Sequence, residues 1–288
     1  MVTETTSLLR LLTLDQLDET RFRDPQLHLG TQWEYQRTFG GQVVAQALMA
    51  ASGTLTPERR CHSMHAYFLR PGSNARPIDY QVEVTRDGNT FSQRRVTAFQ
   101  QDKLMFALTA SYHVEEPGLQ HSDPMPPDVD DPMDCPPVAE VLTERFGSAA
   151  AQWIAWQGLD VRYVGDSSDS TQASAHSAHL RVWARTQETL PDDPRLHTAL
   201  AAYLSDLTIL SVAAVPHQVT IMSPQVQAAS VDHAMWFHRD LRADQWLLHD
   251  QISPSASGGL GFSNGRLFQR GELKASVSQE GLIRLTQG

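Results

Sequence analysis

The sequence predicts an α+β fold laid down twice, on three observations. A helix-forming stretch followed by a run of alternating strands occurs once in each half of the 288-residue chain. Tight-turn signals, Asp87-Gly88 and Ser257-Gly258-Gly259, punctuate the strands as hairpins do. Both helical stretches are apolar nearly all round, which suits a helix wrapped by a sheet.

The elements follow in order. Leu27 to Phe39 reads as a strand, and Gly40-Gly41 opens a small-residue helix running to Ser52. Strands follow at His62 to Leu69, Ile78 to Arg86, Phe91 to Gln101 and Leu104 to Val114. The polar, proline-rich run Glu115 to Pro137 forbids regular structure and marks a linker. Beyond it, Val161 to Val164 and Leu180 to Arg185 read as strands, and Asp193 to Ala213 as the second helix. The last strands are Ala228 to His238, Trp246 to Ser253, Phe262 to Arg270 and Leu273 to Arg284. Met64-His65-Ala66 matches Asp232-His233-Ala234, which makes His65 and His233 equivalent, and Phe91-Ser92-Gln93-Arg94-Arg95 matches Phe262-Ser263-Asn264-Gly265-Arg266. The expected division is 1–114, a linker at 115–155, and 156–288, with the chemistry in the last unit.

Composition excludes several classes. A formal net charge of −10 argues against a nucleic-acid partner, although local arginines (Arg37, Arg59, Arg60 and Arg70 are candidates) could hold an anionic small molecule. The two cysteines, Cys61 and Cys135, show no metal spacing and read as free thiols of a reducing compartment. No apolar run approaches the roughly 18 residues of a membrane span. The N-terminal stretch reads as a short amphipathic helix without a cleavage-site pattern, and Thr286-Gln287-Gly288 is no peroxisomal address. The expected location is cytoplasmic.

Chemistry is expected around Asp206. On a helix its neighbours three, four and seven positions away are Ala199, Ala202, Tyr203, Ile209, Leu210 and Ala213, none of them charged. A carboxylate there is drawn out of water, and its pKa rises toward the range of a general base; a solvent-open face or a capping role are the structural alternatives. The first helix, Gly40 to Thr54, contains no acid, so one active site per chain is expected. On the last strand Gln279 shares the apolar face of Leu273, Ala275 and Val277, and the repeat places Ala110 at its position in the first half. A core glutamine satisfied by backbone is its alternative reading. Ser230 reads as opening its strand on the side of Asp232, Ala234 and Trp236, either as an edge hydroxyl or as a third group around a water. An acid, an amide and a hydroxyl suffice to hold and deprotonate water without a metal.

Several blocks in fixed order carry a family resemblance. They are Phe39-Gly40-Gly41-Gln42-Val43-Val44-Ala45-Gln46-Ala47, His62 through Gly72, Ser205-Asp206-Leu207, Ser230 through His238, and Val277-Ser278-Gln279-Glu280-Gly281. From about Phe39 to Arg284 the chain resembles the acyl-CoA thioesterase II family. The resemblance implies a double hotdog fold, hydrolysis of medium- to long-chain fatty acyl-CoA to acid and CoA, and assembly into a homodimer or homotetramer. It implies no cofactor, CoA being part of the substrate. The family's catalytic Asp, Thr or Ser, and Gln fall on Asp206, Ser230 and Gln279, with Ser where relatives often carry Thr. An oxyanion donor at a helix start is implied, with Gly40-Gly41 the candidate. Each half's sheet needs its far face covered, so the halves are expected to pack as a pseudo-dimer.

Other readings are weaker. Gly261 to Gly265 fits G-x-S-x-G, yet residues 264 to 288 hold neither the Asp nor the His that such a serine needs. The histidines lack zinc spacing. A hotdog enoyl-CoA hydratase and a non-catalytic acyl-CoA-binding protein are the alternatives; the first wants a His near Asp206, and the next along the chain is His217.

Overall fold

A continuous antiparallel sheet forms the frame of the molecule, and two helices lie side by side against it. The computed structural model describes residues 7–24, 37–148, 150–151, 158–168 and 178–286. The first half contains α1 (Leu8–Leu12), β1 (Asp15–Gln16), β2 (Arg21–Arg23), α2 (Gly40–Ser52), β3 (Arg59–Phe68), β4 (Asp79–Asp87), β5 (Phe91–Gln100) and β6 (Lys103–Val114). Next comes α3 (Val138–Phe146), a nine-residue helix inside the stretch read as linker. The second half contains β7 (Leu159–Asp166), β8 (Ala178–Thr186), α4 (Pro194–Ser205), a 3₁₀ turn at Ser211–His217, β9 (Val226–Ser230), β10 (Asp232–Phe237), β11 (Leu247–Ser257), β12 (Leu260–Gln269) and β13 (Glu272–Leu285). Of the strand expected at Leu27 to Phe39, residues 27–36 lie outside the described residues, and Arg37 makes only an isolated bridge to Ser73.

The strand order is β1-β2-β4-β5-β6-β3-β10-β13-β12-β11-β8-β7, with β9 on β13. The halves therefore meet edge to edge, through antiparallel pairing of β3 with β10 (Met64 opposite Met235, Ala66 opposite His233). This corrects the expectation that uncovered sheet faces drive the pseudo-dimer. Joining two edges satisfies the backbone groups that each half would otherwise leave unpaired. The outer face of the second half is covered by the proline-rich segment: Met125 and Val129 pack on Cys135, Trp183, Leu248 and Phe268. Trp183 Nε1–H anchors that segment by donating to Asp130 O at 2.9 Å.

The duplication shows in side chains as well as in element order. Gln100 holds both backbone groups of Ser73, accepting from its N at 2.9 Å and donating to its O at 2.8 Å. Gln269 does the same to Arg242, at 2.9 and 2.8 Å. The left-handed pair Gln101-Asp102 recurs as Arg270-Gly271. All these equivalences share one difference in number, 169 (100 to 269, 73 to 242, 101 to 270). That difference confirms Ala110 as the counterpart of Gln279 and corrects the two local matches. Phe91 corresponds to Leu260 rather than Phe262, and His233 corresponds to Met64 rather than His65. His65 is exposed, whereas Met64 and His233 are buried on the same face of the joined sheet.

The second helix is shorter than its apolar pattern suggests. Asp193 caps α4, its side chain accepting from Arg195 N, and the helix ends at Ser205 with Asp206 as C-cap. The next bond, Leu207 N to Leu204 O at 3.1 Å, spans three residues, so the last turn tightens before the chain leaves the helix. Asp206 thus stands at the end of the helix, in reach of other elements, and not at the middle of its stripe.

Candidate active site

Three elements bring the expected residues together. α4 delivers Asp206 at its C-terminus, the β9–β10 junction delivers Ser230, and the middle of β13 delivers Gln279. Ser230 Oγ–H donates to Asp206 Oδ1 at 3.0 Å, and Gln279 Nε2–H donates to Ser230 Oγ at 3.0 Å. Gln279 also hydrogen-bonds the Asp206 carboxylate. Asp206 is 7% exposed and Gln279 1%.

A bulge places Ser230. The register runs Ser230 opposite Gly281 in β9 but Ala234 opposite Ser278 in β10, so one extra residue sits between them on the bulged strand. Val231 N donates to Glu280 O at 2.9 Å while Asp232 Oδ1 accepts from Glu280 N at 2.7 Å, pinning the irregular step. Straight alternation puts Ser230 with Asp232 and Ala234. The bulge turns it to the buried face of His233, Met235 and Gln279 instead. The expected side for Ser230 is therefore corrected, and the convergence depends on that correction.

α2 completes the enclosure. The Gly41 backbone N–H, at the first turn of α2, donates to the Asp206 carboxylate. A Cβ at Gly40 would lie 2.6 Å from Asp206 Oδ2, and one at Gly41 2.5 Å from Tyr203 O. The two glycines are thus needed for the close approach of α2 to the end of α4, an approach also marked by the edge-on stacking of Phe39 and Tyr203 at 5.0 Å. The helix start faces the acid, and Gly40 lines the cavity beside it as well.

Burial pushes the Asp206 carboxyl above its ordinary value of 3.8. Opposing this are the nearby His233 and the hydrogen bonds from Ser230, Gln279 and Gly41. The carboxylate is desolvated yet supplied with donors, which describes a base kept ionisable and reactive.

His233, which the local repeat matches only to His65, belongs to this cluster as well. It is fully buried, its Nδ1 lies against Gln279 Oε1, and its Nε2 is 2.9 Å from Ser205 Oγ. Alternation with Met235 along β10 turns His233 inward, and its true counterpart is the buried Met64 and not the exposed His65. Ser263, the serine of the G-x-S-x-G match, is buried inside β12 opposite Gln279 and sits on no strand-to-helix turn. Among the described residues no group of three or more His, Cys, Asp or Glu is arranged to hold a metal ion.

Asp206 and Ser230 line a cavity of ≈ 500 Å³ together with Gly40, Phe68 and Leu210, and Arg37 and Arg70 stand at it as well. Arg70, in this lining, donates from Nη1 to Leu104 O at 2.6 Å, whereas Arg59 bonds Gly88 O and Arg60 pairs with Asp240 elsewhere. A second cavity of ≈ 480 Å³ lies beneath α3, and the two share Leu207, Ile221 and Met222.

An enclosed acid, hydroxyl and amide on a duplicated helix-and-sheet unit define a hydrolase of the double hotdog class. The family model described as acyl-CoA thioesterase matches residues 164–282, and that of the acyl-CoA thioesterase N-terminal domain matches residues 30–113. The chain belongs to the acyl-CoA thioesterase family. It is 36% identical to acyl-CoA thioesterase 2 of Haemophilus influenzae over 98% of both chains. It is 35% identical to human acyl-coenzyme A thioesterase 8, over 96% of this chain and 88% of that one. An acyl-CoA thioesterase II structure from Mycobacterium marinum superposes with a TM-score of 0.80 at 39% identity, covering 98% of this chain and all of that one.

Proposed function

We propose that this enzyme hydrolyses the thioester of medium- to long-chain fatty acyl-CoA by direct attack of water, with Asp206 as general base. The observation that carries the mechanism is the chain Gln279 to Ser230 to Asp206, closed by hydrogen bonds of 3.0 Å at the wall of a cavity. Ser230 and Gln279 orient the carboxylate and the water. Asp206 takes a proton from that water as its oxygen adds to the thioester carbonyl. Collapse of the tetrahedral adduct breaks the C–S bond, and the CoA thiolate recovers the proton from Asp206. The products are the fatty acid and CoA, and no covalent enzyme intermediate or bound cofactor takes part.

The two cavities, which share wall residues, support the chain-length reading. The thioester lies beside Asp206, the acyl chain turns past Leu207, Ile221 and Met222 into the chamber beneath α3, and Val182 and Leu180 line its floor. Arg37 and Arg70, both at this cavity, supply the positive charge that the CoA phosphates require. Filling the chamber with Val182→Phe is expected to lower kcat/KM for palmitoyl-CoA well below that for hexanoyl-CoA. A cytoplasmic enzyme assembled as a homodimer or homotetramer is part of the same proposal; among the described residues no helix is long and apolar enough to cross a membrane.

The test is thiol release from decanoyl-CoA without added metal. The wild type is expected to release CoA, and Asp206→Asn to lose at least about a hundredfold in kcat. Hydration of crotonyl-CoA without thiol release, or binding without turnover, would sink the proposal in favour of a hydratase or a binding protein.

A further inference from the structure

We infer that His233 is a positioning residue of the reaction: it sets which way round the Gln279 amide lies and thereby orients Ser230 and Asp206. This inference rests on the proposed mechanism. A glutamine amide presents a donor on one side and an acceptor on the other, and rotation by half a turn exchanges them. Gln279 must show its N–H to Ser230, because the Ser230 proton is committed to Asp206. The other end, Oε1, lies against His233 Nδ1, and since a carbonyl oxygen only accepts, Nδ1 carries the proton. The ring is held from behind by Ser205, whose Oγ is 2.9 Å from Nε2 and 2.9 Å from Ala202 O. Ser205 immediately precedes the base, so one relay runs from the end of α4 through His233, Gln279 and Ser230 back to Asp206.

The molecule contains its own control. The counterpart of Gln279 is Ala110, and the counterpart of His233 is Met64, which lies directly opposite Ala110 in the β3–β6 register. Where the amide is missing, the imidazole is missing too. Met64 is fully buried, so the frame of the fold accepts an apolar side chain at this position. Histidine in the second half therefore answers to Gln279 and not to the packing of the joined sheets. A fully buried imidazole is costly to desolvate unless its nitrogens are engaged, and both nitrogens of His233 are.

The experiment uses the full-length enzyme and decanoyl-CoA. His233→Met copies the first half and removes the donor to Gln279; His233→Asn keeps an amide N–H near the Nδ1 position. His233→Met is expected to lower kcat about thirtyfold while KM moves less than about threefold, and His233→Asn to recover kcat to within about fivefold of wild type. In a Gln279→Ala background, His233→Met is expected to cost less than about threefold more, because the group it positions is gone. Thermal midpoints report whether each variant is folded, and His233→Asn serves if His233→Met is not. Unchanged kcat in His233→Met overturns the inference. So does an equal loss in both variants, or a loss undiminished in the Gln279→Ala background. Asp206→Asn keeps the two ideas separate: should it retain activity, the general-base mechanism fails whatever His233 does.

Discussion

In the first half β3 sets Met64 against Ala110, and α2 ends at Gly53; in the second half β10 sets His233 against Gln279, and α4 ends at Asp206. Both helix ends are C-caps with nearly the same backbone, φ −63° and ψ −16° at Gly53, φ −76° and ψ −10° at Asp206. Cys61 precedes a break in β3 as Ser230 precedes the break in its strand, and Cys61 faces Tyr112 as Ser230 faces Gly281. The frame is thus built twice, bulge included, and the polar groups only once. Frame and chemistry are separable: the first half shows what the fold accepts, and Ser230, His233 and Gln279 are the departures that meet beside Asp206 in the second. The first half also serves the second directly, since its helix start supplies the Gly41 N–H to Asp206.

This comparison can be broken in several places besides the base itself. The largest effect is expected from Gln279→Ala, which copies Ala110: kcat for decanoyl-CoA should fall about a hundredfold with the thermal midpoint close to wild type. A fall in stability equal to that of a core cavity variant, with kcat retained, would show instead that the amide serves packing. Gly40→Ala comes next. Its Cβ would meet Asp206 Oδ2 at 2.6 Å, so the carboxylate must move and kcat should drop at least about tenfold. Full activity in that variant would mean that the contact between the halves is not needed at the site. Ser230→Ala is expected to cost about as much, and Ser230→Thr, which keeps the hydroxyl, less than about threefold; steady-state kinetics decides both.

Smaller effects sharpen the same contrast. Because burial raises the Asp206 pKa, the folded protein binds its proton more tightly than the unfolded chain does. Stability contributed by this group is complete below the unfolded value and is lost as pH rises through the folded one. Asp206→Asn should therefore raise the thermal midpoint at pH 7, with the gain shrinking toward pH 4. The wild-type kcat should fall on acidification at a pH above the usual carboxylate range, where the base becomes protonated. A lower midpoint for Asp206→Asn across this range would contradict a desolvated charge. The smallest catalytic effect is expected from Ala110→Gln. An amide buried opposite Met64, without the histidine, should cost about 1–3 kcal/mol in urea unfolding and leave kcat unchanged.

Much of this was legible in the chain before folding, for reasons that are local. Strand alternation put Gln279 on the apolar face of β13, where it is found, and the repeat set it against Ala110. An acid among apolar neighbours on the second helix marked Asp206, since nothing nearby could solvate it. Turn chemistry at Gly258-Gly259, both at positive φ, closed a hairpin as expected. Two of the errors have a common cause: the extra residue at Val231 and the slip between His65 and Met64 are single-residue steps, to which periodic pattern is insensitive. Yet one residue turns a strand side chain to the opposite face. The end of α4 at Ser205, eight residues short of Ala213, falls inside an unbroken apolar pattern that does not mark it.

The sequence alone determined the duplicated α+β plan, the presence of one acid for two helices, and the chemical kinds of group available, because these follow from side-chain period and composition. Only the tertiary structure decided that Ser230 turns inward, that Gly41 of the other half holds the base, and that His233 stands behind Gln279. Those contacts join residues far apart in the chain, and their geometry is set by a bulge, a helix end and a shared sheet edge that no local pattern encodes.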